Sequence, residues 1–535
     1  MLLNLNVLLV TSLTVVSAIE DVNYWRNIAK DNLNRYLNLK HNTGRARNIV
    51  LMIGDGMGLS TITAARTLKG QMQGNSGEET ELNFEKFPYT ALAKVYTTDY
   101  QVPDSAATMT AIVSGVKVKS RTLGVDSAVN YDVCHDLTDY KLQNILHWSK
   151  DAGKSNGFVT TARVTHATPA ALYAATSNRD WENDHKIPFT REGYCTDIAT
   201  QLVRNASHIQ VILGGGTRNF IPNTIPDPTT NEIDYREQRR DDQNLLKEWK
   251  EDKRRKQLRH RVVHNTGQLR DVRPEHTDYL LGLFHKSHMS YEHERNTSDA
   301  GEPSLAEMTR KAIQILNKNE NGFFLMVEGA RIDHGHHAIQ AKRALTETIA
   351  FEEAVQTVLD MTNEHETLVI VTADHSHTMT IAGYPERGNN ILDVVKIDNG
   401  SAYLAVDELP YTTLSYANGP KHSYFRRNLT DVDTTDVKFK QDVVVDLPWE
   451  THSGEDVPIY ARGPMAHLLT GVKEQNVIAY VMAHAACIGD VGVPCESGRE
   501  NKNDTDTDHH NFNGAFSYVP TNYIFVYFLL YYLSI

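Results

Sequence analysis

Three short segments of the chain are apolar at every position, and polar, metal-capable side chains follow each of them closely. They are residues 49–53, 323–327 and 368–371. Apolar runs of this length, without polar alternation, predict β-strands that are buried on both faces, as in a parallel sheet. Because ligands of open α/β sheets bind beyond the carboxyl ends of the strands, we expect these three strand ends to converge on one site.

The spacing of apolar residues also predicts helices. Residues 341–358 repeat apolar side chains at helical spacing and connect two of the predicted strands. Residues 19–40 form a separate amphipathic arm, of the kind that packs on a partner subunit. Residues 383–448 break into short β-prone runs between Gly, Asn and Pro, which predicts an inserted β-rich subdomain. The fold class is therefore α/β, with a large central, mostly parallel β-sheet flanked by helices.

Both ends of the chain resemble processing signals. Residues 1–18 are mainly apolar and end in the small residues Val-Ser-Ala, which predicts a signal peptide. Residues 514–535 finish in an uncharged apolar run that is too short to span a bilayer, so we expect a removed GPI-anchor signal. Asn513 is the candidate attachment residue, and residues 503–506 hold a second candidate. The polar residues 496–513 would form a stalk above the membrane.

Composition narrows the class of protein. The 535 residues carry 54 Lys and Arg against 67 Asp and Glu, a net charge of −13, which argues against a nucleic-acid partner. A hydrophobic fraction of 40% is ordinary for a globular protein and excludes a disordered chain. Five Asn-x-Ser/Thr triplets predict a glycoprotein in the secretory pathway, exposed on the extracellular face of the cell membrane. Their acceptors are Asn205, Asn296, Asn399, Asn428 and Asn503.

Two motifs near the first strand carry candidate chemistry. Residues 54–58, Gly-Asp-Gly-Met-Gly, place Asp55 at a strand tip as an oxygen ligand for a metal. In the second motif, Asp104 precedes a helix-forming run and has the character of an N-cap. Ser105 would then stand at a helix N-terminus, where free N–H groups and the helix dipole favour an alkoxide and a bound phosphate.

A third motif lies in residues 165–169, Thr-His-Ala-Thr-Pro. Here His166 and Thr168 point the same way on an extended segment and could reach a metal or its waters. Further along, Arg179 offers the two-pronged guanidinium that suits phosphate oxygens.

The strongest motif is residues 328–337, Glu-Gly-Ala-Arg-Ile-Asp-His-Gly-His-His. Asp333 and His337 are four residues apart, so a helical turn places them on one face as two ligands of a single zinc ion. Glu328 leaves the preceding strand and can bind a neighbouring, harder metal.

A fifth motif combines two separated segments. Asp374 and His375 close the third predicted strand as an oxygen and nitrogen ligand pair, with His377 beside them. His452 follows the predicted β-rich insertion and would return to complete a three-ligand site.

Together these motifs resemble the alkaline phosphatases, in the order in which that family carries them. The resemblance covers residues 41–495 as a catalytic domain and implies a homodimer with two Zn2+ and one Mg2+ in each subunit. It implies that Ser105 is the nucleophile that becomes phosphorylated and that Arg179 clamps the phosphate. The implied ligands are Asp333, His337 and His452 for the first zinc, Asp374, His375 and Asp55 for the second, and Asp55, Thr168 and Glu328 for magnesium.

The resemblance also extends to residues around the ligands. His166, a third candidate catalytic residue, and His334 stand where bacterial members typically carry Asp and Lys, so the chain resembles the animal type. Three further residues are expected to position the site without binding a metal themselves, namely Asp104, His334 and His377. The predicted insertion resembles the crown subdomain of the animal enzymes, and the C-terminal segment resembles their GPI signal. Two disulfides are implied, Cys134 with Cys195 and Cys487 with Cys495.

One departure concerns calcium. Vertebrate members bind Ca2+ at a peripheral site through a Phe-Glu pair, whereas Phe284 is followed here by His285. Although Glu302 could match another ligand of that site, a histidine in place of a carboxylate weakens a site for a hard cation. Calcium is therefore not among the expected cofactors.

The predicted function is metal-dependent hydrolysis of phosphate monoesters at alkaline pH, with broad substrate specificity. Two alternatives remain open. One is a related phosphodiesterase, although the nucleophile of such enzymes is usually Thr or a modified Cys, and neither stands at position 105. The other is a GPI-anchored surface receptor in which the phosphatase site is secondary.

Overall fold

A computed structural model of the chain describes residues 20–134, 136–188, 195–398, 400–421, 423 and 425–489. The main feature is a ten-stranded sheet with the strand order β17-β2-β16-β8-β1-β7-β3-β4-β6-β5. The strands of this sheet are β1 (Asn48–Gly54), β2 (Tyr89–Lys94), β3 (Ser155–Arg163), β4 (Val211–Gly215), β5 (His260–Val263), β6 (Tyr279–Leu283), β7 (Phe323–Gly329), β8 (Thr367–Ala373), β16 (Val457–Arg462) and β17 (Gly471–Glu474).

Two groups of helices pack against this sheet. In the first group α11 contacts both α2 and α9, and in the second group α3, α4 and α12 contact one another. The α-helices are α1 (Val22–Leu37), α2 (Leu59–Met72), α3 (Ser105–Ser114), α4 (Ile145–Asp151), α5 (Ala167–Ala170), α6 (Ile198–Arg204), α7 (Leu245–Arg255), α8 (Thr266–Arg270), α9 (Leu305–Leu316), α10 (Arg331–His337), α11 (Ala341–Met361) and α12 (Val477–Ala486).

The three predicted strands are confirmed as β1, β7 and β8. Every residue of these strands is buried, as expected for strands covered by helices on both faces. They are adjacent and parallel, and antiparallel pairing in this sheet involves β16, which lies between β8 and β2. The predicted crossover helix is confirmed as α11. The α/β class with a mostly parallel central sheet is therefore confirmed.

The predicted insertion contains short strands. They are β11 (Lys396–Ile397), β12 (Ser401–Ala402), β13 (Leu414–Gly419) and β14 (Val443–Asp446). Strand β13 pairs with β14 and with β10 (Met379–Ile381), which lies before residue 383, so this small sheet reaches beyond the predicted insertion. Two further short strands, β9 (Ser376–His377) and β15 (His452–Ser453), pair with each other. That pairing ties the far end of the insertion back to the end of β8.

Several predictions concern the ends and the surface of the chain. The disulfide between Cys134 and Cys195 is confirmed, whereas Cys495, the expected partner of Cys487, lies outside the described residues. The signal peptide, the stalk, the anchor signal with Asn513, and the acceptors Asn399 and Asn503 also lie outside them. Asn205, Asn296 and Asn428 are exposed, as a glycan would require. Within the described part of the chain, none of the helices is both long enough and apolar enough to pass through a bilayer.

Candidate active site

The candidate site lies where β1, β7 and β8 end together. The register aligns Gly54 with Gly329 on one side and with Ala373 on the other, so the three strands finish at one level. Asp55, Glu328 and Asp374 are thereby brought to one edge of the sheet, and all three are fully buried. This arrangement confirms the predicted convergence of the strand ends.

A glycine after β1 is required by this arrangement. Gly56 has a φ of +71°, a left-handed conformation that L side chains rarely adopt. Its N–H donates to Asp374 Oδ1 at 3.1 Å, and a β-carbon at this position would collide with the His377 ring. The turn therefore brings backbone close to two side chains of the site.

Ser105 is the first residue of α3, a helix whose residues are all buried. Asp104 is the N-cap, because its side chain accepts a hydrogen bond from Ala106 N at 3.2 Å, which confirms its predicted capping role. The Ser105 hydroxyl lies 3.1 Å from His375 Nε2. A hydroxyl at a helix N-terminus and beside a ligand-type imidazole is well placed to become a nucleophile.

Arg179 is held next to the start of the same helix. Its Nη1 lies 2.8 Å from Asp104 Oδ2, and its Nη2 lies 3.2 Å from His166 Nε2. Burial opposes the charge of Asp104, but the Arg179 guanidinium and several N–H donors hold the pKa of that carboxyl below its usual value. Asp104 therefore caps the helix of Ser105 and fixes the orientation of Arg179 at the same time.

Four side chains from three segments form a second group. Asp333, His337, His377 and His452 each offer one ligand atom, and these atoms lie within 4.8 Å of one another. Asp333 and His337 share one face of α10, with 3.3 Å between Oδ1 and Nε2, as their spacing predicted. His452 Nε2 lies 3.2 Å from Asp333 Oδ1, so it returns to this group across the insertion. The structure also brings in His377, which the ligand assignment left in a supporting role.

Two further groups surround Asp55. One contains Asp55, Asp333 and His375, and the other contains Asp55, His166 and Glu328, again with ligand atoms within 4.8 Å. Asp374 joins the first of them, since its Oδ2 lies 3.2 Å from His375 Nε2.

Unpaired oxygen atoms show that these groups suit metal ions. Both carboxylate oxygens of Asp55, one oxygen of Glu328 and the Thr168 hydroxyl are buried without a hydrogen-bond partner among the described residues. Such atoms are costly inside a protein unless a cation or a donor satisfies them. Oxygen atoms alone suit a hard cation, whereas mixed imidazole and carboxylate sets suit zinc. The donor sets therefore fit metal binding.

The electrostatics of the site point the same way. Burial, and then the neighbouring Asp374 carboxylate, raise the pKa of Asp55 well above its usual range. Burial also raises the pKa of Glu328 to about 7. Asp333 behaves differently, because His337 and other imidazoles outweigh burial and hold its pKa well below the usual value. A bound multivalent cation would favour the ionised form of all of these carboxyl groups.

Glu450 is a site residue whose role the sequence did not reveal. It is fully buried, and its Oε2 lies 2.6 Å from His377 Nδ1, while its backbone oxygen lies 2.6 Å from His337 Nδ1. The other nitrogen of His377 lies 2.7 Å from Asp333 Oδ1. Against the effect of burial, Glu450 and Asp333 raise the pKa of His377 to about 10. Its position two residues before His452 was the only signal of this role.

His336 is a second residue that sequence reasoning did not assign. Its ring is fully buried and stacks on the His377 ring, with 4.9 Å between centroids. Its two nitrogens lie 3.0 Å from the Thr61 hydroxyl and 2.8 Å from the Tyr416 hydroxyl. His336 therefore fixes the plane of His377 without offering a nitrogen to a metal.

Several known proteins are similar to the chain in sequence. The alkaline phosphatase family profile matches residues 46–488. The tissue-nonspecific alkaline phosphatase of Gallus gallus is 46% identical over 484 residues, which is 89% of this chain and 92% of that protein. The human tissue-nonspecific isozyme is 45% identical over 477 residues and covers 88% of this chain and 89% of its own length. An alkaline phosphatase of Gadus morhua is 44% identical over 478 residues, 87% of this chain and 97% of the cod protein.

Solved structures share the fold at lower identity. The alkaline phosphatase of Thermus thermophilus superposes with a TM-score of 0.59 at 21% identity, covering 84% of this chain and 93% of that one. That of the Antarctic bacterium TAB5 gives a TM-score of 0.56 at 21% identity, covering 84% of this chain and all of the bacterial one. The resemblance seen in the sequence motifs is confirmed, and the chain belongs to the alkaline phosphatase family, as an animal-type, metal-dependent enzyme that hydrolyses phosphate monoesters.

Proposed function

We propose that the enzyme works through a covalent phosphoserine on Ser105, with broad tolerance for the alcohol of the ester, at the extracellular face of the cell membrane. The observation that carries the proposal is the position of the Ser105 hydroxyl. It stands at the N-terminus of a buried helix, 3.1 Å from His375 Nε2 and beside the candidate metal ligands. No cysteine is present near position 105 to serve as a nucleophile instead.

We assign two Zn2+ and one Mg2+ to the candidate groups by the chemistry of their donors. Asp333, His337 and His452 would hold the first zinc, and Asp374, His375 and Asp55 the second. Magnesium would take the all-oxygen set, in which Asp55 acts together with buried oxygens of Thr168 and Glu328. Bound zinc ions supply a lowered pKa for a coordinated hydroxyl or water and neutralise charge on phosphoryl oxygens.

The reaction then proceeds in two steps, in which Ser105 and Arg179 have separate roles. The Ser105 oxygen loses its proton and forms a bond to phosphorus, while the bond from phosphorus to the ester oxygen breaks and the alcohol leaves with a proton. In the second step, a water oxygen bonds to phosphorus, the bond to Ser105 breaks, and inorganic phosphate and the free hydroxyl are restored. Arg179 donates to two non-bridging oxygens in both steps, in the orientation that Asp104 gives it.

Broad specificity follows from where these contacts fall. All the contacts assigned above, from Ser105, Arg179 and the ligand groups, are made to the phosphoryl group. None of them is made to the alcohol. Interactions with the transferring group stabilise every monoester transition state alike.

A substrate comparison tests this function against the phosphodiesterase alternative. At alkaline pH, we expect kcat/KM for a chromogenic phosphate monoester to exceed that for the corresponding diester or sulfate ester by at least about 100-fold. Initial rates of chromophore release from the three esters, with the same metal-loaded enzyme, give the comparison. Equal or faster cleavage of the diester would contradict the proposed function.

The metal assignment is testable by removal of single ligands. In His452→Ala, we expect about one zinc ion fewer per subunit, since an imidazole ligand is lost from the first zinc set. In Glu328→Ala, we expect loss of magnesium with both zinc ions retained. Elemental analysis of the purified variants measures both changes.

Glu347→Ala is the matched control, because Glu347 is another buried carboxylate, and it accepts a hydrogen bond from Glu292 N and belongs to none of the ligand groups. It should keep all three metal ions. A Glu328→Ala enzyme that loses zinc and keeps magnesium would show that the assignment is wrong.

The proposed localisation depends on the GPI signal predicted for residues 514–535. We expect a phosphatidylinositol-specific phospholipase C to release active enzyme from intact membranes, since lipid chains alone would hold the mature protein. Mass spectrometry of the released chain should find no peptide from these residues. Recovery of a C-terminal peptide from the membrane-bound enzyme would favour a peptide anchor instead.

The proposed homodimer has a candidate contact surface on α1. No residue of this helix is buried, and its apolar side chains remain open to solvent within the single chain. Trp25, Leu33 and Leu37 are 52%, 59% and 71% exposed. An amphipathic helix with its apolar stripe uncovered fits the arm predicted to pack on a partner subunit.

A further inference from the structure

Three histidines meet beside the phosphate clamp, outside the ligand sets assigned above. They are His166, His288 and His334, which we call the histidine cluster. One ring nitrogen of each lies within 4.8 Å of those of the other two. The rings of His288 and His334 are closest, with 4.2 Å between centroids. His288 had no predicted role, and three histidines at this spacing could in principle surround a small ion.

Each imidazole of the histidine cluster faces its own arginine. Arg179 Nη2 lies 3.2 Å from His166 Nε2, and Arg331 Nη1 lies 3.2 Å from His334 Nδ1. Arg163 Nη1 makes the same kind of contact with His288 Nε2. A guanidinium can only donate, so the ring nitrogen that faces it must accept. In a neutral imidazole the proton then sits on the other nitrogen, which becomes a donor.

Two of those other nitrogens have no acceptor for their protons among the described residues. Nδ1 of His166 and Nδ1 of His288 are both buried, and neither finds a hydrogen-bond partner in the described part of the chain. The ring nitrogens that approach one another in the histidine cluster are at most 4.8 Å apart, so a point between them lies at most about 2.8 Å from each, within an ordinary hydrogen-bond length from nitrogen to oxygen. A single oxygen atom could therefore contact all three rings.

Three guanidinium groups face the histidine cluster and favour an anion there, even though the Asp55 and Glu328 carboxylates also lie within 4.8 Å of a His166 nitrogen. Arg163 is paired with Glu182, and Arg179 is paired with Asp104. Arg331 is different, because no carboxylate of the described residues lies within 4 Å of its guanidinium, which instead sits 3.7 Å from the centre of the Tyr291 ring. An unbalanced positive charge repels a cation and attracts an anion. A metal would also need the lone pairs that the arginines already occupy.

We propose that the histidine cluster is a second anion site, which binds a phosphate-type oxyanion next to the catalytic phosphate. The proposal rests on the proposed function, because it takes Arg179 as the clamp of the catalytic phosphate. Arg179 would then connect the two sites, with one nitrogen near Asp104 and the other near His166. The oxyanion could be free inorganic phosphate or a second phosphoryl group carried by the substrate.

Calorimetric titration of the metal-loaded enzyme with inorganic phosphate tests the site. We expect two binding events per subunit in the wild type. In His288→Asp, a carboxylate replaces a donor, so the second event should weaken by about tenfold or more while the first remains. His288→Leu removes the donor without adding charge and should have the same effect, which guards against a folding defect of one variant. His276→Asp places the same charge change at an exposed position and should keep both events.

A single event in the wild type would overturn the proposal, and so would two events that both persist in the two His288 variants. The substitution also separates an anion from a cation. A cation site would gain affinity from the carboxylate of His288→Asp, so an added zinc ion per subunit in that variant would overturn the proposal too. Normal phosphoenzyme in Ser105→Ala would overturn the proposed function and would leave both phosphate-binding events in place, so failure of the two proposals can be distinguished.

Kinetics identify the source of the oxyanion. If the occupant is a second phosphoryl group of the substrate, His288→Asp should lower kcat/KM for a bisphosphorylated ester by about tenfold or more and leave a matched monophosphate ester unchanged. If it is free phosphate, kcat/KM should stay the same for both esters. In each case the second phosphate event is weakened in calorimetry, and an unchanged second event would count against the site.

Discussion

Ser105→Ala should lower kcat for a phosphate monoester at alkaline pH by about 10³-fold or more and abolish the phosphoenzyme that can be trapped at acidic pH. The reason is that the Ser105 hydroxyl stands at the first position of α3, within hydrogen-bonding distance of the candidate metal ligand His375. Binding of phosphate should persist, because Arg179 and the ligand groups stay in place. Quenched-flow trapping with a radiolabelled ester and steady-state kinetics measure the two effects.

Ser114→Ala provides the matched control. Ser114 ends the same buried helix, and its hydroxyl donates to Thr110 O at 2.6 Å, far from the site end of the helix. This variant should keep the phosphoenzyme and most of the activity. A Ser105→Ala enzyme that still forms normal amounts of phosphoenzyme would exclude Ser105 as the nucleophile. A small residual rate without phosphoenzyme is compatible with direct attack by water.

The central part of the site could be predicted because its signals are local in sequence. Fully apolar runs identify β1, β7 and β8, and the first charged residues after them are Asp55, Glu328 and Asp374. Parallel strands of similar length that lie side by side must end at one edge, so the convergence needs no information about the rest of the fold. The spacing of Asp333 and His337 was informative for the same reason, since a helical turn fixes their relation.

The surroundings of the ligands could not be predicted in this way. Glu450 reaches His377 across 73 residues, and His288 reaches His334 from a loop after β6. Neither has a periodic pattern or a neighbouring motif that indicates its partner. The antiparallel strand β16 was also missed, because a short mixed run at residues 457–462 does not indicate which strands it will join. Long-range pairing depends on the whole sheet rather than on the segment.

Asp55 favours metal binding but destabilises the fold when no metal is bound. Both of its oxygens are buried without a hydrogen-bond partner among the described residues, and the carboxylates of Asp374, Asp333 and Glu328 raise its pKa further after burial. Such a group is tolerated when a cation binds it and is unfavourable otherwise. The free energy of unfolding of the metal-free enzyme should therefore be lower than its packing alone would give. Most of this loss of stability should come from Asp55.

Asp55→Asn should consequently have opposite effects on activity and on the stability of the metal-free enzyme. With metals supplied, activity should fall by about 100-fold or more, because Asp55 is shared by the zinc and magnesium sets. After EDTA treatment, the variant should melt at a higher temperature than the wild type. The raised folded-state pKa of Asp55 means that the metal-free wild type loses stability as the pH rises through that pKa, whereas an amide does not ionise. The difference should thus be largest at alkaline pH and vanish below about pH 4, the range of an unperturbed aspartate.

Asp104→Asn separates this effect from a general benefit of removing a buried acid. Asp104 is also largely shielded from solvent, but it is paired with Arg179 and accepts from backbone N–H groups, and these contacts hold its pKa below the usual value. Its loss should lower the melting temperature with or without metals. Differential scanning calorimetry of both variants and the wild type, with metals and with EDTA, measures all of these changes. An Asp55→Asn enzyme that melts below the metal-free wild type at alkaline pH would show that Asp55 stabilises the fold by itself, and the assignment of its unpaired oxygens to metal binding would lose its physical basis.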